Sequence, residues 1–390
     1  MKKYLFMKNK NLQSLKSERV VWLDVARFFA MFMVVCCHCA DPFNFYPGGN
    51  PPAEIPLWGA LWGSFLRPCV PLFVMITGAL MLPVKEETSL FYKKRITRVF
   101  FPFVIWSFIY ALFPFLTGVM GLDSSLLLDI FAYGGDEVTR QSFGAFVEYA
   151  SDIPFNFPLT AVHMWYIYLL IGLYLYLPIF SAWVEKASER AKLWFIVAWG
   201  VASLLPYYCE FGNQYLWGTC SWNAYGMLYY FAGFNGYLLL GHYLRYHDWS
   251  KMQLLYYGLP MFVAGYLVTY YGFITMRDLP NPTPEQYELF WTYNSLNVII
   301  MTVPCFMLAK SINVQSLKLQ SLLANLTKCG FGVYMVHFFF TGPAVMIARA
   351  LNIPIPVQIP FAAILAFAVS WLLVAVIYAV IGKKAKWLVG

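Results

Sequence analysis

RVVWLDVARFFAMFMVVCCHCADP, residues 19–42, decides how the rest of the chain is read. Its 21 residues 20–40 form one apolar run, which as a helix at ~1.5 Å per residue extends ~31 Å, about the thickness of a bilayer's hydrocarbon core. The run nevertheless carries Asp24, Arg27 and His38. A single ionisable side chain at the centre of such a helix costs roughly 2.5–3.5 kcal/mol on insertion scales, so three require a polar interior or a function. Arg27 and His38 are eleven positions apart, three turns plus ~20° of rotation, which predicts that both project from one face about 16 Å apart along the axis. Asp24 precedes Arg27 by three positions, where the two can pair.

The whole composition agrees with a membrane protein. Of 390 residues, 60% are hydrophobic, 20% aromatic and only 12% charged. An ordinary soluble domain has about 25% charged residues, so that class is excluded. The net charge of +8 does not point to a nucleic acid, because the basic residues fall in short patches between apolar runs. The first run is too long for the apolar region of a signal peptide and no small-residue cleavage site follows it, so it is expected to remain as an anchor. Eight cysteines are scattered without a pattern that fixes a disulfide framework.

Hydropathy predicts an all-α polytopic protein, a bundle of ten transmembrane helices at about 20–40, 57–82, 98–118, 163–181, 192–208, 225–244, 253–273, 289–309, 327–348 and 359–382. Residues 1–19 and 383–390 flank a single domain over 20–382. With the N-terminus inside, 22 of the 27 Lys and Arg residues fall on the inner side and only Arg140, Arg277 and Arg349 on the outer. That asymmetry predicts cytoplasmic termini and an even number of crossings. Acidic residues, among them Asp41, Asp129, Glu148 and Glu288, lean to the outer side. The outer connection 119–162 holds SSLLLDIFAY, which is too short to span and is expected to lie in the interface or cover a cavity. Prolines at 68, 71, 102, 178 and 304 interrupt apolar runs, where freed backbone groups often face a polar cavity.

Four constellations carry possible chemistry. His38 is either an interfacial histidine held by a backbone carbonyl or, in neutral form, a base that removes a proton from a hydroxyl; it also has the chemistry of a transient acyl carrier. Cys36, Cys37 and Cys39 beside it suggest zinc, but successive helical side chains point ~100° apart and one ion cannot collect them, so no metal is expected. KKRITRVFFP, 93–102, places Arg95 and Arg98 on one face with Lys93 and Lys94 at the same level. Such a cluster is an orientation signal or a lipid contact on one reading and a site for a phosphorylated donor on the other. HMWYIYLL, 163–170, offers His163, Trp165 and Tyr166, which also suit an aromatic belt. YMVHFF, 334–339, puts His337 among aromatics, and Arg67 beside Pro68 either snorkels to the surface or serves a site.

These segments resemble acyltransferase family 3. LDVARFFAMFMVVCCH, 23–38, is similar to that family's first helix, with Arg followed by ten residues and then His. RPCVPLFVMITGALML, KKRITRVFFPFVIWS with its RxxR element, HMWYIYLLIGLYLYLPI and GVYMVH follow in the family's order across most of the chain, and the branch they most resemble modifies surface polysaccharides by O-acetylation. Thr77 stands where the family often has Ser, and cysteine is unusually frequent around His38. The resemblance implies acetyl-CoA as cosubstrate, with no bound cofactor, held from the cytosol of a bacterial cell at the cytoplasmic membrane. It implies a glycan hydroxyl as acceptor on the far side. His38 then becomes the catalytic histidine, with Arg27 its motif partner and Asp24 holding Arg27. Arg95, Arg98 and Lys94 become the donor site. His163, Trp165, Tyr166, Arg67 and His337 remain for the acceptor or a secondary site. No fused esterase-like segment is seen, so the chain is expected to pass the acyl group on unaided or with a separate protein. The same intramembrane charges also suit a transporter or flippase, whose two halves often show internal symmetry that this sequence lacks, and a longer donor such as succinyl-CoA stays open.

Overall fold

The computed structural model describes residues 20–45, 51–212 and 221–390. The basic segment 1–19 lies outside them. Every regular element among the described residues is a helix. By length and composition seven helices are able to cross a membrane, or eight if one sharply bent pair is counted as a span. The helices are α1 (Val21–Asn44), α2 (Glu54–Phe65), α3 (Cys69–Met81), α4 (Thr88–Val119), α5 (Ser125–Ile130), α6 (Phe143–Asp152), α7 (Trp165–Lys186) and α8 (Glu189–Ala202). Then come α9 (Leu205–Phe211), α10 (Asn235–Leu244), α11 (Leu259–Arg277), α12 (Pro284–Glu288), α13 (Leu296–Ser311), α14 (Leu317–Val336), α15 (Phe338–Ala350) and α16 (Ile355–Ile381).

Two segments expected to span are shorter than a bilayer. Within 225–244 only the ten residues of α10 are α-helical, and within 289–309 only residues 296–309 of the 16-residue α13. Glycine lets these short helices pack closely. A Cβ on Gly78 of α3 would stand 1.9 Å from the backbone oxygen of Leu238, and one on Gly241 of α10 would stand 2.0 Å from that of Met75. The two backbones therefore touch at both glycines.

Two further expected spans are broken, and side chains satisfy the freed backbone at each break. Pro68 has no amide hydrogen, and α2 ends before it in a tighter turn with Arg67 N bonding Ser64 O. That leaves the Gly63 carbonyl to accept from Arg67 Nε at 3.1 Å. The expected single helix 327–348 is bent by 83° between α14 and α15, at His337. There the Tyr334 carbonyl accepts from His337 Nδ1 at 2.8 Å, and the Met335 carbonyl accepts from the Tyr110 hydroxyl at 2.9 Å. Backbone groups in an apolar medium need such partners, which is what makes a break at this depth tolerable.

By contrast α4 starts ten residues earlier than expected and runs unbroken through Pro102. The Glu87 carboxylate caps it by accepting from the amides of Ser89 and Leu90. Arg95 and Arg98 thus lie within its second and third turns.

The apolar patch in the long connection packs onto the bundle. Leu127, Phe131 and Val138 are fully buried, and Phe131 meets Tyr110, Phe338 and Phe339. A Cβ on Gly342 of α15 would stand 2.1 Å from the Asp129 carbonyl, so α5 lies directly on α15.

Candidate active site

Helix α1 sets the frame, with charge near its start and an imidazole near its end. Asp24 Oδ1 and Arg27 Nη1 are 3.5 Å apart. Three turns on, His38 Nδ1 is 2.8 Å from Asp41 Oδ2, because α1 continues past Ala40 and brings Asp41 onto the face of His38. The carboxylate accepts from Nδ1–H, so in the neutral imidazole Nε2 carries the lone pair. Nothing in the sequence distinguishes Asp41: a helix ending at 40 leaves it as one of many acidic residues expected on the outer side.

His163 and His337 join His38. Ring centroids lie 5.3 Å apart for His38 and His337, 5.2 Å for His163 and His337, and 6.3 Å for His38 and His163. Phe338 packs against His38 and His163, and Tyr110 against His163. His163 and His337 are fully buried. His337 donates from Nδ1 to a carbonyl, which leaves Nε2 an acceptor, and neither that atom nor either ring nitrogen of His163 has a hydrogen-bond partner among the described residues. Groups of this kind are costly to bury unless a ligand or solvent completes them. Three imidazoles beside a carboxylate invite a metal, yet among the described residues no group of three or more His, Cys, Asp or Glu side chains is placed to share one.

At the other end lies a cavity of about 290 Å³. Arg27, Arg95 and Arg98 line one end of it. Met31, Tyr166 and Tyr334 line it nearest the histidines. Lys94 points elsewhere and pairs with Glu86 at 3.0 Å. The remaining candidates separate. Tyr166 belongs to the cavity and not to the histidine cluster. Trp165 stacks on Tyr293, with centroids 5.5 Å apart, and Arg67 lies over Trp291 and Tyr293 at 4.2 and 5.5 Å. Arg67 does not snorkel: it is buried, 3.6 Å from Cys37 Sγ, and among the described residues no carboxylate ion-pairs with it. The seven described cysteines are free.

A cationic cavity that stops beneath a carboxylate-oriented imidazole can bind an anionic donor on one side and activate a hydroxyl on the other. The family model described as an acyltransferase domain matches residues 20–375. The chain belongs to acyltransferase family 3. Comparisons with curated proteins and with solved structures return no match. As an acyltransferase 3 protein with several helices long and apolar enough to span, it is a multi-pass membrane acyltransferase.

Proposed function

We propose that this protein is an O-acetyltransferase of the bacterial cytoplasmic membrane that takes acetyl from cytosolic acetyl-CoA and passes it to a hydroxyl of a surface or lipid-linked glycan outside. The observation that carries the reading is the cavity joining Arg27, Arg95 and Arg98 to a floor one helical turn from His163 and His337. Guanidinium groups suit the phosphates of CoA, and the pantetheine arm is long enough to bring the thioester up the cavity. The inner placement of 22 basic residues favours the arginine end as the cytosolic one. Seven long helices, the bent pair, α10 and α13 together supply ten crossings if each traverses, with both termini inside.

In the transfer, His38 Nε2 takes the proton of the acceptor hydroxyl as its oxygen bonds to the thioester carbonyl carbon. The C–S bond then breaks, and the CoA sulfur leaves with the proton returned by the imidazolium. Asp41 holds the ring in the required tautomer and stabilises its cationic form. His163 and His337 are placed to hold the acceptor hydroxyl, and Asp24 positions Arg27.

The test compares glycans by mass spectrometry from cells with wild-type protein and with His38→Ala at matched membrane expression. Loss of one acetyl unit per modified sugar is expected, and unchanged acetylation ends the proposal. Purified protein that moves a glycan or solute without consuming acyl-CoA would instead favour transport.

A further inference from the structure

Between the cavity and the histidines stands a single aromatic layer. Tyr334 lines the cavity on one side. On its other side its ring lies 5.6 Å from His163 and 5.7 Å from His337, centroid to centroid. Its hydroxyl donates to the His163 carbonyl, which pins the ring across the end of the cavity. Tyr166 completes the layer, 5.9 Å from Tyr334 and 6.1 Å from Phe73. Both tyrosines are buried. On α1 the lining reaches only Met31, seven residues and so about 10 Å of helix short of His38.

We propose that Tyr334, supported by Tyr166, is the acyl-length stop of the donor cavity and makes the enzyme select a short acyl chain. This rests on the acyl-CoA reading above. An acyl chain that enters from the arginine end meets the Tyr334 ring at the floor of the cavity, where the acceptor hydroxyl activated by His38 has to reach the thioester carbonyl past the ring edge. A two-carbon group leaves room for that approach, and each further methylene has to displace an aromatic side chain tied to the backbone of the neighbouring segment. An apolar wall of this kind discriminates by about 10- to 200-fold per methylene. The 83° bend between α14 and α15 falls at His337, three residues beyond Tyr334, so the ring sits on the arm that ends at the bend.

The experiment measures CoA release by the detergent-purified full chain from acetyl-, propionyl-, butyryl- and hexanoyl-CoA, with extracted cell-surface glycan supplied to take the acyl group. The wild type should prefer acetyl over butyryl in kcat/KM by at least about tenfold, and Tyr334→Ala should bring the two within about threefold. Tyr334→Phe keeps the ring and should keep the wild-type order. Tyr334→Leu and Tyr166→Leu retain more core volume, so they test the same shift if the alanine variant does not fold. An unchanged chain-length ratio in every folded variant that shortens the ring overturns the proposal, as does a wild type with no chain-length preference. Wild-type protein that releases CoA from none of the thioesters overturns the donor reading itself, and the stop with it.

Discussion

The arginine-lined cavity and the histidine cluster beyond it solve different problems with different physics. At the arginine end the charges are wet: Lys85 with Glu185 and Lys94 with Glu86 are solvated pairs, and the Arg27 side chain is 35% exposed. Such groups act through a field that tolerates small displacements and is screened by salt. At the histidine end the groups are dry, with His163 and His337 fully buried and Asp41 8% exposed. There one proton's position is fixed by a 2.8 Å contact between His38 and Asp41. Recognition of a large anion needs the first kind of surface, while activation of a hydroxyl needs the second. The fold keeps them apart by three turns of α1 and one layer of tyrosine.

The largest effect should come from the dry end. His38→Gln is expected to lower kcat for glycan acetylation by roughly 10²–10⁴-fold, the contribution typical of a general base, with the KM for acetyl-CoA little changed. Asp41→Asn keeps the shape but loses a charged acceptor, so a fall of roughly 10- to 100-fold in kcat follows. Steady-state kinetics on purified protein checks both. If the KM for acetyl-CoA moved and kcat did not, the division between the two ends would be wrong.

How far the sequence foretold each end follows from the same contrast. The arginine end was legible because α1 and the RxxR segment are each local patterns: helical spacing alone puts Arg27 on the face of His38, and Arg95 beside Arg98. The histidine end is assembled from three distant segments. Helical periodicity says nothing of how 38, 163 and 337 meet, and a four-residue error in where α1 stops hid Asp41. The break at 337 carries no proline of its own; it depends on Tyr110 and the His337 ring filling carbonyls, which only the folded chain reveals. Arg67 was misjudgeable for a similar reason, since its burial follows from the Gly63 carbonyl freed by Pro68 and from aromatic rings more than 200 residues away. Likewise α10 and α13 looked like full spans because their flanks are apolar, although the α-helical parts are short.

A smaller effect is expected at the wet end. Arg95→Ala removes one charge-assisted contact to a phosphate, worth about 1.5–3 kcal/mol, so the KM for acetyl-CoA should rise roughly 10- to 100-fold with kcat nearly constant. Arg98, exposed at the surface, should cost less. Lys94→Ala should stay within about twofold of wild type, because its partner is Glu86 and it does not line the cavity. A kcat loss in Arg95→Ala without a KM change would show that the arginines act at the chemistry after all.

The smallest effect concerns the connection 119–162, whose apolar core packs over the histidine end. Arg140 reaches Glu148 through two bonds of 3.2 and 2.5 Å and also Glu137 at 3.1 Å, while the Tyr149 hydroxyl donates to the Glu137 carbonyl. The Arg140 guanidinium holds the Glu148 carboxyl below its usual range. Because the folded pKa is depressed, the stabilisation is present above the unfolded value near 4.3 and is lost as pH falls through the folded one. Hydrogen exchange over residues 137–152, corrected for intrinsic rates, should therefore lose protection only below about pH 4. Glu148→Gln should show the weakened protection already at neutral pH and no longer respond to acid. The clamp is exposed to solvent, so acetylation itself should barely change. If Glu148→Gln instead lowered activity as much as Arg95→Ala does, the cover over the histidines would be part of the dry end's machinery, and the sharp division between the two ends would have to be redrawn around it.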